Sequence, residues 1–192
     1  VGSTATISVD GRYAYDNTAF SGTYSLNDTT TKSNLGKYGF KVSSMSDGLY
    51  GLTVFETNEI KVIWDKVVFT LSAPERVNVG STASITVSGV YAYDNSAFSG
   101  TYSLNDSATK SQVGKYYYKV SIMTDTAYGL TAFDTNTIGV IFDRLNVQLS
   151  VSDSRINVGD TASITATVTH EYDGISSSAS VSYNDTLTKN SV

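Results

Sequence analysis

The chain repeats itself. VGSTATISVDGRYAYDNTAFSGTYSLND opens the sequence and returns from Val79 as VGSTASITVSGVYAYDNSAFSGTYSLND. Subtracting Val1 from Val79 gives an offset of 78 residues. About two-thirds of the first copy is identical at that offset. A third, more diverged copy begins at Val158 (VGDTASITATVTHEYDG), one residue having been added where LSAPERVN becomes LSVSDSRIN. Repetition at a fixed period makes each copy one structural module, so the fold is a series of like units.

Within a copy the apolar residues alternate with period two, the mark of half-buried strands. In STASITV, Ala83, Ile85 and Val87 share one face while Thr82, Ser84 and Thr86 share the other. FSGTYSL, GKYYYKVSIM, YGLTAF and TIGVIF read as further strands, separated by Gly, Asn and Asp clusters, and no stretch has helical periodicity. Six or seven short strands in about 78 residues predict an all-β chain of antiparallel β-sandwich repeats.

The phase of the repeat sets the domain boundaries. VIWDKVVFTLS and VIFDRLNVQLS run from the last strand of one copy into the first strand of the next without Gly or Pro. With KVVFTLSA as a first strand, residues 66–143 form the complete repeat. Residues 1–65 lack a first strand, and residues 144–192 hold first strands only. An incomplete sandwich exposes an apolar face and an unpaired edge, so the expectation is an excerpt of a longer tandem array. Completion by neighbouring chains is the alternative. Simple end-to-end complementation is disfavoured because 158–192 duplicate what 1–34 already provide. Without linkers, adjacent repeats are expected to hold a fixed angle and form a semi-rigid rod. Trp64 and Phe142, just before the junction residues Asp65 and Asp143, are expected in the core rather than at a repeat interface.

Composition narrows the function classes. Thirteen Lys plus Arg against eighteen Asp plus Glu give a net charge of −5, and no basic run is available to neutralise a phosphate backbone. This disfavours nucleic acid. No apolar run is long enough to span a membrane and no charged-then-apolar leader is present, although a start at Val1 rather than Met leaves a removed or omitted leader open. The absence of cysteine excludes thiolate zinc sites and Cys nucleophiles, and it is compatible with an extracellular sandwich.

LGKYGFKV and VGKYYYKV carry Gly-x-Tyr-x-aromatic. This resembles the tyrosine-corner strand of immunoglobulin-like domains, with Phe40 or Tyr118 in place of the second cysteine, and implies that Tyr38 and Tyr116 bond back to nearby backbone. The whole run from VIWD or VIFD through DSRINVGDTASI to FSGTYSLND is similar to tandem Ig-like repeats of very large archaeal, and some bacterial, cell-surface proteins. The resemblance implies an extracellular structural array at the cell surface, a stalk, surface layer or filament. Its partners would be other copies of the same repeat or chain, with glycans possible. No catalytic residue, cofactor or metal ligand comes with it.

Asn27, Asn105 and Asn184 each head an Asn-x-Ser/Thr sequon in the recurring NDT/NDS turn. Two readings stay open: N-glycosylation acceptors on an exposed turn, and Asn-Asp pairs that shape a tight turn. The recurring acids, Asp16, Asp94 and Asp173, Asp28, Asp106 and Asp185, Asp47 and Asp125, Asp65 and Asp143, are scattered rather than clustered. Turn and cap aspartates are therefore expected in preference to a calcium site. The single histidine, His170, replaces Tyr91 of the second copy and has no partner for a triad within a complete unit, so no enzyme is expected. Tyr117, where the first copy has Gly39, is expected to be exposed or at an inter-chain contact. It motivates the alternative of an adhesin-like or carbohydrate-binding array.

Overall fold

The structure, a computed structural model, describes residues 2–189, among which every regular element is a β-strand. In chain order these are β1 (Thr23–Leu26), β2 (Gly36–Phe40), β3 (Val42–Ser46), β4 (Ile60–Trp64), β5 (Val67–Ser72), β6 (Arg76–Asn78) and β7 (Thr86–Tyr91). There follow β8 (Gly100–Leu104), β9 (Gly114–Tyr118), β10 (Val120–Asp125), β11 (Phe133–Thr135), β12 (Ile138–Asp143), β13 (Leu145–Val151) and β14 (Ile164–His170). They pair into small sheets, β1–β3, β2–β4, β8–β10, β11–β5–β7, β6–β12–β9 and β13–β14.

The chain divides into two compact units. One comprises Val1–Thr70, Ser88–Ser103 and Ile122–Thr135; the other comprises Leu71–Val87, Leu104–Ser121 and Asn136–Val192. Residues of the middle repeat fall in both.

In the first unit, β2 and β4 pair antiparallel from Gly36 opposite Trp64 to Phe40 opposite Ile60. Trp64 is buried with Tyr38 and Phe40 against its ring, and its indole N–H donates to the Ser3 carbonyl at 2.8 Å. It is a core residue of its own repeat. In the second unit Phe142 plays the same part, fully buried with Tyr116 edge-on at 5.6 Å. Along β12, Val140, Ile141, Phe142 and Asp143 are all buried, because β12 lies between β9 and β6.

Most expected strands form, with three departures, the first being that STASITV enters a strand only at Thr86 and Val87, the start of β7. The pairings β5–β11 and β6–β12 are parallel, so the β6–β12–β9 sheet, whose β9–β12 pairing is antiparallel, is mixed. YGLTAF contributes only Phe133 to a strand. The Asp125 carboxylate takes the amides of Ala127, Tyr128 and Leu130, and amides committed to a side chain cannot serve a ladder. The alternation read in STASITV holds, Ala83 being buried and Ile85 and Val87 half-buried while Thr82, Ser84 and Thr86 are exposed.

The three copies keep the same backbone where the sequence demands it. The Tyr-Asp-Asn turn needs a left-handed residue, supplied by Asn17 (φ 60°), Asn95 (φ 59°) and, in the third copy, Gly174 (φ 71°). Asn and Gly are the residues that adopt this conformation at least cost. The turn is closed by Asp16 accepting from the Thr18 amide and Asp94 from the Ser96 amide.

Candidate functional site

The NDT turn is a clasp rather than a free hairpin tip. Thr31, Thr109 and Thr188 bridge back to Thr4, Thr82 and Thr161 at the start of the same repeat, each pair joined hydroxyl to hydroxyl at 2.6, 2.8 and 2.8 Å. Asp28 and Asp106 pair with Lys32 and Lys110 four residues on, and these ion pairs, followed by the next backbone amide, hold both carboxyls below the usual carboxylate value. Each lysine lies over a tyrosine ring, Lys32 at 4.8 Å from the Tyr38 centroid and Lys110 at 4.9 Å from that of Tyr116. The tyrosine hydroxyls in turn donate at 3.4 Å to the carbonyls of Asn34 and Gln112, four residues upstream. Both tyrosines thus bond back to nearby backbone, as the motif implies.

The sequon asparagines stand beside this clasp. Asn27 donates its Nδ2 to the Gly39 carbonyl at 3.1 Å and accepts at Oδ1 from the Lys41 amide at 2.8 Å. Asn105 does the same with Tyr117 and Lys119, at 3.1 and 2.8 Å. Each carboxamide therefore substitutes for a peptide group, bracing the bend between two successive strands. Asn184, like the other two, is exposed.

Asp47 and Asp125 organise a loop each. Asp125 accepts from the Tyr91 hydroxyl at 2.6 Å and from three backbone amides. Asp47 accepts from Tyr13 at 2.8 Å and from the amides of Leu49, Tyr50 and Leu52. Burial raises the pKa of both carboxyls, but the combined hydrogen bonds outweigh it and leave both below the ordinary value.

The junction aspartates tie one repeat to the next. Asp65 accepts the amides of Lys66 and Tyr93 at 2.8 and 2.9 Å, and Asp143 those of Arg144 and Tyr172 at the same two distances. At the second junction Arg76 adds ion pairs to Asp143 and Asp173, and His170 Nδ1 lies 3.2 Å from Asp143 Oδ2. Burial opposes the Asp143 charge, yet the Tyr172 and Arg144 amides and then Arg76 keep its carboxyl low. His170 is thus part of a junction, in a concavity that Ser177 also lines. Among the described residues no three His, Cys, Asp or Glu side chains converge as metal ligands.

A groove of about 890 Å³ lies in the first repeat. Its floor includes Ile7, Val9, Gly11, Tyr13 and Phe20, and one wall runs from Leu52 to Ile60. Val54 on that wall is 88% exposed and Tyr13 half-buried, whereas Tyr91, the counterpart of Tyr13, is 2% exposed. Sequence reading passed over two of the groove's residues, Gly11 and Asn58. The available signal was the recurrence of Gly89 and Asn136 at the offset of 78, opposite an apolar first strand.

Tyr117 is 59% exposed and has the Lys115 ammonium 5.8 Å from its ring centroid. The chain matches no protein-family model, and no curated protein and no solved structure is significantly similar to it.

Proposed function

We propose that this chain is a structural repeat region of an extracellular cell-surface or filament-forming protein. Its immunoglobulin-like repeats form a semi-rigid, linkerless array, glycosylated at Asn27, Asn105 and Asn184. The observation that carries the reading is the repeated junction. Asp65 and Asp143 each hold the next residue's amide and the amide of a tyrosine some 28 or 29 residues further on, so one repeat is tied to the next by the same pair of hydrogen bonds. A buried carboxylate accepting two amides resists bending at that point better than a chain link alone.

The sequon geometry is compatible with a glycan. N-linkage replaces one Nδ2 hydrogen and leaves the second for the Gly39 or Tyr117 carbonyl. Two measurements test the reading together. Intact mass of the protein from its native source should show a long repeat chain carrying discrete sugar-sized increments. Antibodies raised against residues 66–143 should label intact, unpermeabilised cells. Labelling only after permeabilisation, with no sugar mass, overturns it.

A carbohydrate-binding or adhesive array is the second reading, favoured by the exposed Tyr117 beside Lys115. Glycan-array binding lost in Tyr117→Ala supports it; silence across the array removes it.

A further inference from the structure

Unpaired positive charge is concentrated on one kind of sheet face. Among the described residues, the lysines and arginines outside any ion pair are Arg155 together with Lys37, Lys41, Lys61, Lys115 and Lys119. From Lys115 to Val120 exposed and covered residues alternate, with Lys115, Tyr117 and Lys119 outward and Tyr116, Tyr118 and Val120 inward. Lys37 and Lys41 hold the same places in the first repeat, at an offset of 78, and Lys61 stands opposite Gly39. Opposed residues of a strand pair share a face, so all five lysines mark the outer face of β2–β4 or of β9–β12.

The two repeats differ at one cross-strand pair of that face. In the first, Gly39 faces Lys61, and the Glu59 carboxylate fills the space a Cβ at position 39 would need. In the middle repeat Tyr117 faces Gly139, and Thr137 stands where the first repeat has Glu59. With no side chain at 139, the Tyr117 ring and the Lys115 stem both lie across it, 3.3 and 2.7 Å from where a Cβ would stand. The ring is thus held against the sheet while 59% of the residue stays open to solvent. Lysines commonly guard free strand edges, and β9 is the edge of its sheet. That edge is already closed here, because the Asn105 carboxamide occupies the Tyr117 carbonyl and the Lys119 amide. A guard also has no need of an exposed ring between two ammonium groups.

We propose that the outer face of β9–β12 binds an acidic polysaccharide, one whose sugars carry carboxylates. Tyr117 offers an open aromatic face to the apolar face of a pyranose. Lys115 and Lys119 stand two residues to either side, about 7 Å away along the strand. They take the carboxylates of that sugar and its neighbour in charge-assisted hydrogen bonds. Gly139 sets the position of the ring. The first-repeat face keeps Lys37, Lys41 and Lys61 but has no ring and carries Glu59, so it attracts the polymer without stacking on it. An acidic peptide would satisfy the lysines yet bring no rigid ring face to Tyr117. That the ligand is a carbohydrate rests on the second reading above; the placement of the unpaired lysines does not.

The test titrates the full chain with sodium polygalacturonate by calorimetry, with neutral dextran and poly-glutamate alongside. Polygalacturonate should bind saturably, and more weakly as sodium chloride is raised from about 0.05 to about 0.5 M. Dextran and poly-glutamate should each bind at least about tenfold more weakly. Tyr117→Ala, and Lys115→Gln combined with Lys119→Gln, should each weaken polygalacturonate about tenfold. Lys37→Gln combined with Lys41→Gln, on the face without a ring, should weaken it less than about threefold. All of these side chains are exposed, so an unchanged melting temperature should accompany each loss. No binding of polygalacturonate, indifference to the ring or to the Lys115 and Lys119 pair, or poly-glutamate bound as tightly overturns the proposal. Glycan-array binding of neutral sugars that needs Tyr117 but neither lysine refutes the charged ligand and leaves the carbohydrate reading standing. Silence of the array and of polygalacturonate alike removes both.

Discussion

The first and middle repeats are near-duplicates in sequence, yet one encloses its central tyrosine and the other leaves it half open. Tyr91 and Tyr13 each donate to an aspartate, at 2.6 and 2.8 Å, within loops of the same design. Each also meets a second tyrosine edge-on at 5.0 Å, Tyr128 and Tyr50 respectively. What separates the two sites is strand β5, whose Val67, Phe69 and Leu71 are all buried. Loop geometry is thus local and survives without the strand, whereas burial of the core is not local and depends on it. The largest test of this is Phe69→Ala. Removing a ring that touches three other aromatics should cost about 4 kcal/mol, read from the shift in the urea midpoint at unchanged slope. A loss below about 1 kcal/mol would mean that β5 is not the element that closes the middle repeat.

The next effect concerns the loops. Asp125→Ala strands the Tyr91 hydroxyl and three amides in a buried setting, at a cost of about 3 kcal/mol. Asp47→Ala breaks the same set of bonds where water reaches Tyr13, so its loss should be clearly the smaller. Equal losses would show that solvent access to the groove does not matter to the loop.

Acid should expose the same carboxylates. The folded-state values of Asp125 and Asp143 lie below the ordinary 3.8, hydrogen bonds from amides, Tyr91 and Arg76 outweighing burial. The folded state therefore prefers the charged form. The stability these groups contribute is fully present above the unfolded value and is lost as pH falls through the lower folded one. Melting temperature should be flat in this respect above about pH 5 and fall below pH 4, and Asp125→Asn should flatten part of the fall. A melting temperature that rises on acidification would reverse the sign and remove these carboxylates as the cause.

Some of this was legible in the residues and some was not. Period two in STASITV marked the buried face leading into β7, although only Thr86 and Val87 of that stretch belong to the strand, and the repeat itself exposed the junction, because both are local patterns. That Tyr38 and Tyr116 bond back to nearby backbone followed from the resemblance of Gly-x-Tyr-x-aromatic to a tyrosine corner, and the structure supplies the partners, carbonyls four residues upstream. YGLTAF misled because alternation of apolar residues cannot reveal that Asp125 has taken the amides a strand would need. The sequons left two readings open, glycan acceptors and turn-shaping Asn-Asp pairs, and neither announces the pairing of Asn27 with Gly39 and Lys41 across a bend. The match of Phe69 to Gly89 lies across two strands separated by a loop, and only the pair that replaces it in the third repeat, Val147 opposite Val168, makes it visible.

That match also gives the smallest and most discriminating prediction. Gly89→Ala places a methyl 2.7 Å from the Phe69 ring and 3.0 Å from the Phe98 Cβ. Phe69 is packed on three sides and cannot swing away, so overpacking should cost about 1–3 kcal/mol. Gly11→Ala makes the same chemical change in the first repeat, where the nearest atom is the Phe20 Cβ at 3.1 Å and no Phe69 stands opposite. A shift of a few tenths of an ångström by Phe20 relieves it, and the groove offers room for that. The stability change should therefore stay within about 0.5 kcal/mol, measured side by side with Gly89→Ala under the same conditions. If the two alanines cost the same, the glycines are kept for their backbone and not for a ring, and the match of Phe69 to Gly89 fails with them. If they differ as expected, Gly89 is kept for the Phe69 ring that lies against it.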